Sequence, residues 1–543
     1  MFPEHHRACG SANHTTGTRA KTMKYSVIPP TAAFLFAIAG VQYSVAAQSA
    51  SANSDTLTLV INADRGSETI SRHIYGHFAE HLGRGIYDGF WTKQGTGEWH
   101  LRDDVIEALR KIQVPNLRWP GGCFADYYHW KDGIGPREER PTIVNTVWGG
   151  VTEDNSFGTH EYLQLVDRLD TDPFIVGNVG SGTVQEMADW WEYVNFPGVS
   201  PMADRRRANG REEPWGVSFW GVGNESWGCG GNMTPEHYAD VYKRFATFLR
   251  RYGGVRPYRI ATGPSEDDYN WTEVLMREAG RMIDGIDMHY YTLTGSWSSK
   301  GNATDFTEAE WFELMRKGLR IEEYIERHAT IMDQYDPGKR VALIVGEWGT
   351  WHQVEEGTNP GFLYQQNTLR DAVIAAVHLD IFNNHADRVR GANIAQTVNV
   401  LQAMILTQGE QMIVTPTYHV FEFYTVHHDA TLLPIWLDKG SYALDGDTIP
   451  AVSASASRDE DGEVHITLTN IDPNRARTIM TDFGGPDLAL VGGRILTAPA
   501  MNAHNTFEQP NAVWPTLFDG ARVVNGKLII ELPPKAIVVL ELQ

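Results

Sequence analysis

The sequence predicts an α/β protein, a (β/α)8 TIM barrel followed by a C-terminal antiparallel β-sandwich. Three observations predict it. Short apolar strands alternate with longer amphipathic helices from about residue 73 to residue 408, and the unit recurs eight times. Beyond about residue 410 the pattern changes to period two between Asp, Gly and Pro turns, as an antiparallel sandwich requires. At 543 residues the chain exceeds one ordinary core. A doubly wound sheet is the competing topology, but no Gly-x-Gly-x-x-Gly turn follows an early strand.

Residues 1–47 are read as an upstream extension and signal peptide. Lys21 and Lys24 supply positive charge, Ala32–Val41 is an apolar run too short to span a bilayer, and Ser44–Ala47 offers small residues for cleavage. Met23 is the expected start, and export to the periplasm or beyond the cell is expected, with no membrane association once the signal is removed. Residues 48–72 form a leader and a strand, Thr56–Asn62, that joins the sandwich. The barrel is assigned to 73–408 and the sandwich to 409–543.

The barrel strands are expected at 73–78, 115–122, 173–182, 217–225, 258–264, 286–292, 341–349 and 392–400. Helices are expected at Arg102–Lys111, Thr159–Leu169, Thr183–Asn195, Thr234–Tyr252, Tyr269–Glu278, Thr307–Gln334 and Gln366–Asn384. Thr234-Pro235 marks one start, an N-cap with proline at the first helical position. Sandwich strands are expected at Ala451–Ser457, Val464–Asn470, Arg494–Ala498, Lys527–Leu532 and Ala536–Leu542, with no helical pattern among them.

Composition narrows the function. A formal net charge of −22 argues against a nucleic-acid partner, which needs clustered Lys and Arg. With 42% hydrophobic and 21% charged residues the chain is globular. Its 17 Trp and 21 Tyr are many; most belong in the core, while flat aromatic faces also suit sugars. Of three cysteines, Cys123 and Cys229 lie in Gly-rich loops. A disulfide between them is open, but two free, partly buried thiols are preferred, because a chain of this size needs no staple.

The chemistry concentrates at two strand ends. Phe219–Val222 reads as a buried strand that stops at Gly223-Asn224-Glu225, and Val341–Val345 is an apolar run that stops at Gly346-Glu347-Trp348. A charge closing a buried strand costs several kcal/mol if unpaired, so it needs a reason. After the fourth and seventh strands both carboxylates face the catalytic mouth. Two facing carboxyls are the minimum apparatus for glycoside hydrolysis, one as acid and one as nucleophile or base. Asn224 is placed to hydrogen-bond the sugar hydroxyl beside the reacting carbon.

Five motifs in this order, Tyr75-Gly76-His77-Phe78-Ala79-Glu80-His81, Arg118-Trp119-Pro120-Gly121-Gly122, Gly223-Asn224-Glu225, Gly346-Glu347-Trp348 and Asn393-Ile394-Ala395-Gln396-x-Val398-Asn399-Val400, resemble glycoside hydrolase family 51, the α-L-arabinofuranosidases. The resemblance runs from about residue 55 to the C-terminus. It implies retaining hydrolysis of terminal arabinofuranosyl residues from arabinan, arabinoxylan or arabino-oligosaccharides, with Glu225 as acid/base and Glu347 as nucleophile. It implies that Glu80 holds distal hydroxyls, Arg118 orients the nucleophile, Asn224 touches the 2-hydroxyl, Tyr291 hydrogen-bonds the nucleophile and Gln396 reaches the sugar. The resemblance places Cys123 at a position where family members carry Asn or Cys beside the sugar, and His289 is expected either to support the nucleophile or to be a satisfied core residue. No metal or cofactor is expected, and a homo-oligomer, by resemblance a hexamer, is.

Three competing readings remain. β-Xylosidase or endoglucanase activity would use the same carboxylates with other loops. His77-Phe78-Ala79-Glu80-His81 spells an inverted zinc-peptidase motif, although it follows a strand and adjoins Gly76, Gly83 and Gly85, which undermine the helix that motif needs. A sugar-binding sandwich on an inert barrel is the third, and paired glutamates at two strand ends speak against it.

Overall fold

Eight parallel strands pair in chain order and close on themselves. The computed structural model describes residues 56–543 apart from 67, 94, 96 and 485–487. The barrel strands are β1 (Gly76–Phe78), β2 (Asn116–Trp119), β3 (Asp172–Gly177), β4 (Phe219–Val222), β5 (Tyr258–Ser265), β6 (Gly285–Thr292), β7 (Ala342–Thr350) and β8 (Val389–Ala395), and β8 returns to β1 through Asn393↔Gly76. Phe174, Val176, Ile260, Ala342 and Ile344 fill the lumen, so the barrel is a packed core with its chemistry at one rim. Outside it, Trp220 of β4 meets Trp190 and Trp191 of the helix Val184–Asn195 edge-on, at ring-centroid distances of 5.5 and 5.3 Å.

Several elements differ from expectation for identifiable reasons. Residues Arg72–Tyr75 form a 3₁₀ turn capped by Ser71, leaving a short β1. The single helix expected over Thr307–Gln334 is two, Glu308–Gly318 and Arg320–Tyr335, with the chain turning at Leu319. The helix begun at Thr234 ends at Ala246, short of Tyr252. A further helix, Pro201–Ala208, has almost no apolar face and so left no periodic signal. Pro416–Tyr424 is helical inside the stretch read as all strand; its residues are buried nearly all round, which hides the 3.6-residue period.

The sandwich has two sheets. One has five strands and contains the N-terminal strand Thr56–Ile61, which pairs in parallel with Arg477–Phe483 and antiparallel with Ile435–Leu437. The other has six, with Val464–Asn470 between Val452–Arg458 and Ile537–Leu542. That strand near the N-terminus therefore joins the C-terminal sheets. The barrel helix Leu369–Asn384 is buried along almost its whole length beneath them. Its Asp380 accepts from Tyr424 Oη (2.8 Å), Ser455 Oγ (3.0 Å) and Thr467 Oγ1 (2.8 Å). No helix among the described residues is long and apolar enough to cross a membrane.

Candidate active site

Glu225 follows β4, and Glu347 lies in β7, whose nine residues are all buried. Strand register sets Glu347 directly beside His289 of β6. Gly346 permits this crowding, since a Cβ there would lie 1.8 Å from Asp287 Oδ1. A carboxylate oxygen of Glu225, one of Glu347 and a ring nitrogen of His289 lie within 4.8 Å of one another.

The two carboxyls keep different company. Glu347 accepts from Arg118 Nη1 at 2.7 Å and from the Tyr291 hydroxyl at 2.8 Å. Arg118, on β2, is fully buried and donates its Nη2 to Asn224 Oδ1 at 2.6 Å. Burial works against the guanidinium charge, but Glu347 and Asp287 outweigh it and hold its pKa above the ordinary range. Among the described residues Glu225 is paired with no arginine or lysine; its ring partner is His289. Burial raises its pKa, the charge of Glu347 adds to this, and a hydrogen bond from His289 opposes it.

His289 bonds to the other carboxyl than the one expected. Its Nδ1 lies 2.9 Å from Glu225 Oε1 and 3.6 Å from Glu347 Oε2, while Nε2 is 3.4 Å from Asp287 Oδ2. Burial disfavours its charge, yet Glu347 and Asp287, with the hydrogen bonds, raise its pKa to about 10. Both ring nitrogens thus face carboxyls, and that company favours the charged form of the ring.

Glu80, just past β1, is buried beside Glu347. Its Oε1 accepts from Gly122 N (3.0 Å), Phe124 N (3.1 Å) and Trp148 Nε1 (2.9 Å), and its Oε2 from Gln396 Nε2 (2.9 Å). Burial first and Glu347 second push its carboxyl up to about 7. Asn224 Nδ2 and Gln396 Oε1 are buried with no hydrogen-bond partner among the described residues. Buried polar groups of this kind want partners, and a polyhydroxylated ligand supplies them. Toward solvent, Trp351 meets Tyr291 edge-on at 5.0 Å and half-exposed Trp297 meets Trp351 at 5.3 Å.

The structure thus gathers Glu80, Arg118, Cys123, Asn224, Glu225, His289, Tyr291, Glu347 and Gln396 at one rim. Sequence reasoning missed Trp148 and Asp287. Trp148 stands between the short strands Ile143–Asn145 and Val151–Glu153, and nothing local distinguishes it from a surface tryptophan. Asp287 is two residues before His289, and the alternation of a strand was the only available signal.

The free thiols expected at Cys123 and Cys229 are corrected: the two are joined in a disulfide with a Cα–Cα distance of 5.5 Å. Size gave no need for a staple, but closure of the barrel brings the loops after β2 and β4 together, which no linear spacing reports. The sulfurs lie 3.8 Å (Cys123) and 3.5 Å (Cys229) from Glu225 Oε2. Carrying no proton, they cover that carboxyl with apolar surface, in keeping with its raised pKa. The zinc motif does not form the helix it requires, because His77 lies on β1 and His81 beyond it, with Nδ1 2.8 Å from Glu153 Oε2.

Two carboxyls in unlike surroundings, set this close across the mouth of a (β/α)8 barrel, make the chain a glycoside hydrolase. Comparison with known proteins narrows the class. The family model described as α-L-arabinofuranosidase 1 domain matches residues 108–309, and that of the α-L-arabinofuranosidase C-terminal domain matches 346–536. An intracellular exo-α-L-arabinofuranosidase of Bacteroides ovatus is 51% identical over 490 residues, covering 90% of this chain and 95% of its own. The crystal structure of a family 51 arabinofuranosidase from Xanthomonas axonopodis pv. citri superposes with a TM-score of 0.88 at 50% identity, over 90% of this chain and all of that one. An arabinose complex of the Thermotoga maritima α-L-arabinofuranosidase gives 0.76 at 31% identity, over 89% and 99%. The chain belongs to glycoside hydrolase family 51, the α-L-arabinofuranosidases.

The same comparison overturns one expectation. Export was read from residues 1–47, whereas the Bacteroides ovatus relative is named an intracellular enzyme. The apolar run behind that reading lies outside the described residues. A short apolar stretch after two lysines is a weak address, since composition alone produces such runs.

Proposed function

We propose that the chain is an exo-acting, retaining α-L-arabinofuranosidase, in which Glu347 attacks the anomeric carbon and Glu225 serves as acid and then base. The observation that carries this reading is the approach of the two carboxyls, with oxygens within 4.8 Å. Retaining enzymes set their carboxyls about 5–5.5 Å apart, whereas inverting enzymes leave roughly 6.5–9.5 Å for a water. Exo action is in keeping with the name of the Bacteroides ovatus relative and with the wall that Glu80, Trp148 and Gln396 form on one side of the site.

In the first step Glu347, aligned by Arg118 and Tyr291, forms a bond to the anomeric carbon as the glycosidic bond breaks. Glu225 gives its proton to the departing oxygen. Its raised pKa suits that task, and His289 keeps its carboxyl turned inward. Asn224 Nδ2 and Glu80 bind sugar hydroxyls. In the second step Glu225, now ionised, takes a proton from water as the water displaces Glu347. Trp351 and Trp297 border the side where the leaving group departs, and arabinan, arabinoxylan or arabino-oligosaccharides are the substrates in this reading.

Azide rescue tests the roles. With an activated aryl α-L-arabinofuranoside, Glu225→Ala should retain the first step and recover turnover as azide replaces water, giving the glycosyl azide. Glu347→Ala should be inert and unrescued, and equal behaviour of the two variants would overturn the assignment. A homo-oligomer, by family resemblance a hexamer, belongs to the same proposal, and light scattering that returned a monomeric mass would refute it.

A further inference from the structure

The acid/base carboxyl stands on an awkward backbone. Glu225 has φ of +38°, in the left-handed region that non-glycine residues avoid, so something must hold it there. The next residue back, Asn224, is buried, and its main-chain N–H donates to Asp126 Oδ2 at 2.9 Å. The other oxygen of Asp126 accepts from Val179 N at 2.7 Å and Gly180 N at 2.8 Å. Its main-chain oxygen accepts from Ser181 N (3.2 Å) and Ser181 Oγ (2.8 Å).

Asp126 ends the short turn Cys123–Asp126 after β2, so one side chain binds together the ends of β2, β3 and β4. It is 2% exposed and forms no ion pair among the described residues. A buried carboxylate without an ion pair is an expensive way to fill space; the backbone donors and the charge of Arg118 offset only part of that cost, and burial still raises its pKa to about 7. The loop past Glu225 is shaped around it, since a Cβ on Gly230 would lie 2.6 Å from Asp126 Oδ2 and 1.8 Å from Asn224 O. At its other end the same turn is bonded through Cys123 to Cys229, four residues beyond Glu225.

We propose that Asp126 is a positioning residue for the acid/base, fixing the main chain at Asn224 so that the Glu225 carboxyl stays turned toward the glycosidic oxygen. This rests on the reading of Glu225 as acid/base. Asp126 acts through the backbone, and its loss should be felt most where a proton must be delivered, with a smaller effect on both substrates through Asn224.

The test compares leaving groups. kcat/KM is measured for Asp126→Asn, which sets an amide donor against an N–H, with 2,4-dinitrophenyl and unsubstituted phenyl α-L-arabinofuranosides. The dinitrophenolate leaves without a proton and the phenolate does not, so a misplaced acid should cost the phenyl substrate roughly 30-fold or more and the dinitrophenyl substrate about 3-fold or less. An equal fall for both substrates, or no fall, would overturn the proposal. If Asp126→Asn does not fold, Asp126→Ser, which keeps a hydroxyl acceptor, carries the same comparison. Glu225→Ala is measured in parallel. If it lacks the leaving-group dependence the acid/base assignment is at fault, and if it alone shows the dependence the fault lies with Asp126.

Discussion

Glu225 and Glu347 share one buried mouth, and their neighbours set them apart. Arg118 and Tyr291 converge on Glu347, whereas Glu225 has disulfide sulfur on one oxygen and His289 on the other. His289 both bonds Glu225 and lowers its pKa, against burial and the charge of Glu347. Replacing it with a neutral donor, His289→Gln, should therefore raise the pKa of Glu225. The basic limb of the kcat/KM profile, where the acid loses its proton, should move to higher pH, and a downward move would contradict the geometry. At this scale the sequence showed which carboxylates close buried strands, because a charge after an apolar run is visible as it stands. It did not show Asp126 or the disulfide, because their partners lie about a hundred residues away and only barrel closure joins them.

The strand-and-helix rhythm was legible wherever one face is buried and the other wet. It failed where that contrast is missing, at the polar helix Pro201–Ala208 and the buried helix Pro416–Tyr424. The expected helix over Thr307–Gln334 merged two helices because both bury one face and the one break signal at their junction, Gly318, is a residue that helices tolerate. Its start is well specified. Thr307 Oγ1 accepts from Glu310 N at 3.3 Å, and Glu310 Oε2 accepts from Thr307 N at 2.8 Å, a reciprocal capping box. Thr307→Ala should cost about 1 kcal/mol in urea unfolding and leave kcat unchanged. A stability loss near zero would mean that the cap is idle in the folded chain.

Across the whole molecule, buried ionisable groups set the response to pH. Burial lowers the pKa of His77 and His427 to about 3 and of His160, His378 and His428 to about 4. Each is lower folded than unfolded, so its contribution to stability is full above about 6.5 and is lost as pH falls. Burial raises Glu80 and Asp126 to about 7 and Asp380 to about 6. Their contributions are full below the ordinary carboxylate range and are lost as pH rises. His289, raised to about 10, adds a loss that begins above 6.5. The five histidines outweigh the three carboxyls on the acid side, and His289 acts on the alkaline side. The Tm should therefore peak near pH 6.5 and fall in both directions, and a Tm still rising toward pH 9 would contradict this balance. The barrel and sandwich should melt together in that scan, because Asp380 ties the helix Leu369–Asn384 to both Tyr424 and the sandwich strands.

The central claim, that Glu347 carries the sugar while Glu225 handles the proton, is most directly tested by trapping the intermediate. Glu225→Ala should react with 2,4-dinitrophenyl α-L-arabinofuranoside and then stall for want of a base. Intact-mass spectrometry should show one anhydropentose added per chain, and peptide mapping should place it on Glu347. An adduct on any other residue, or rapid turnover with no adduct, would contradict the account.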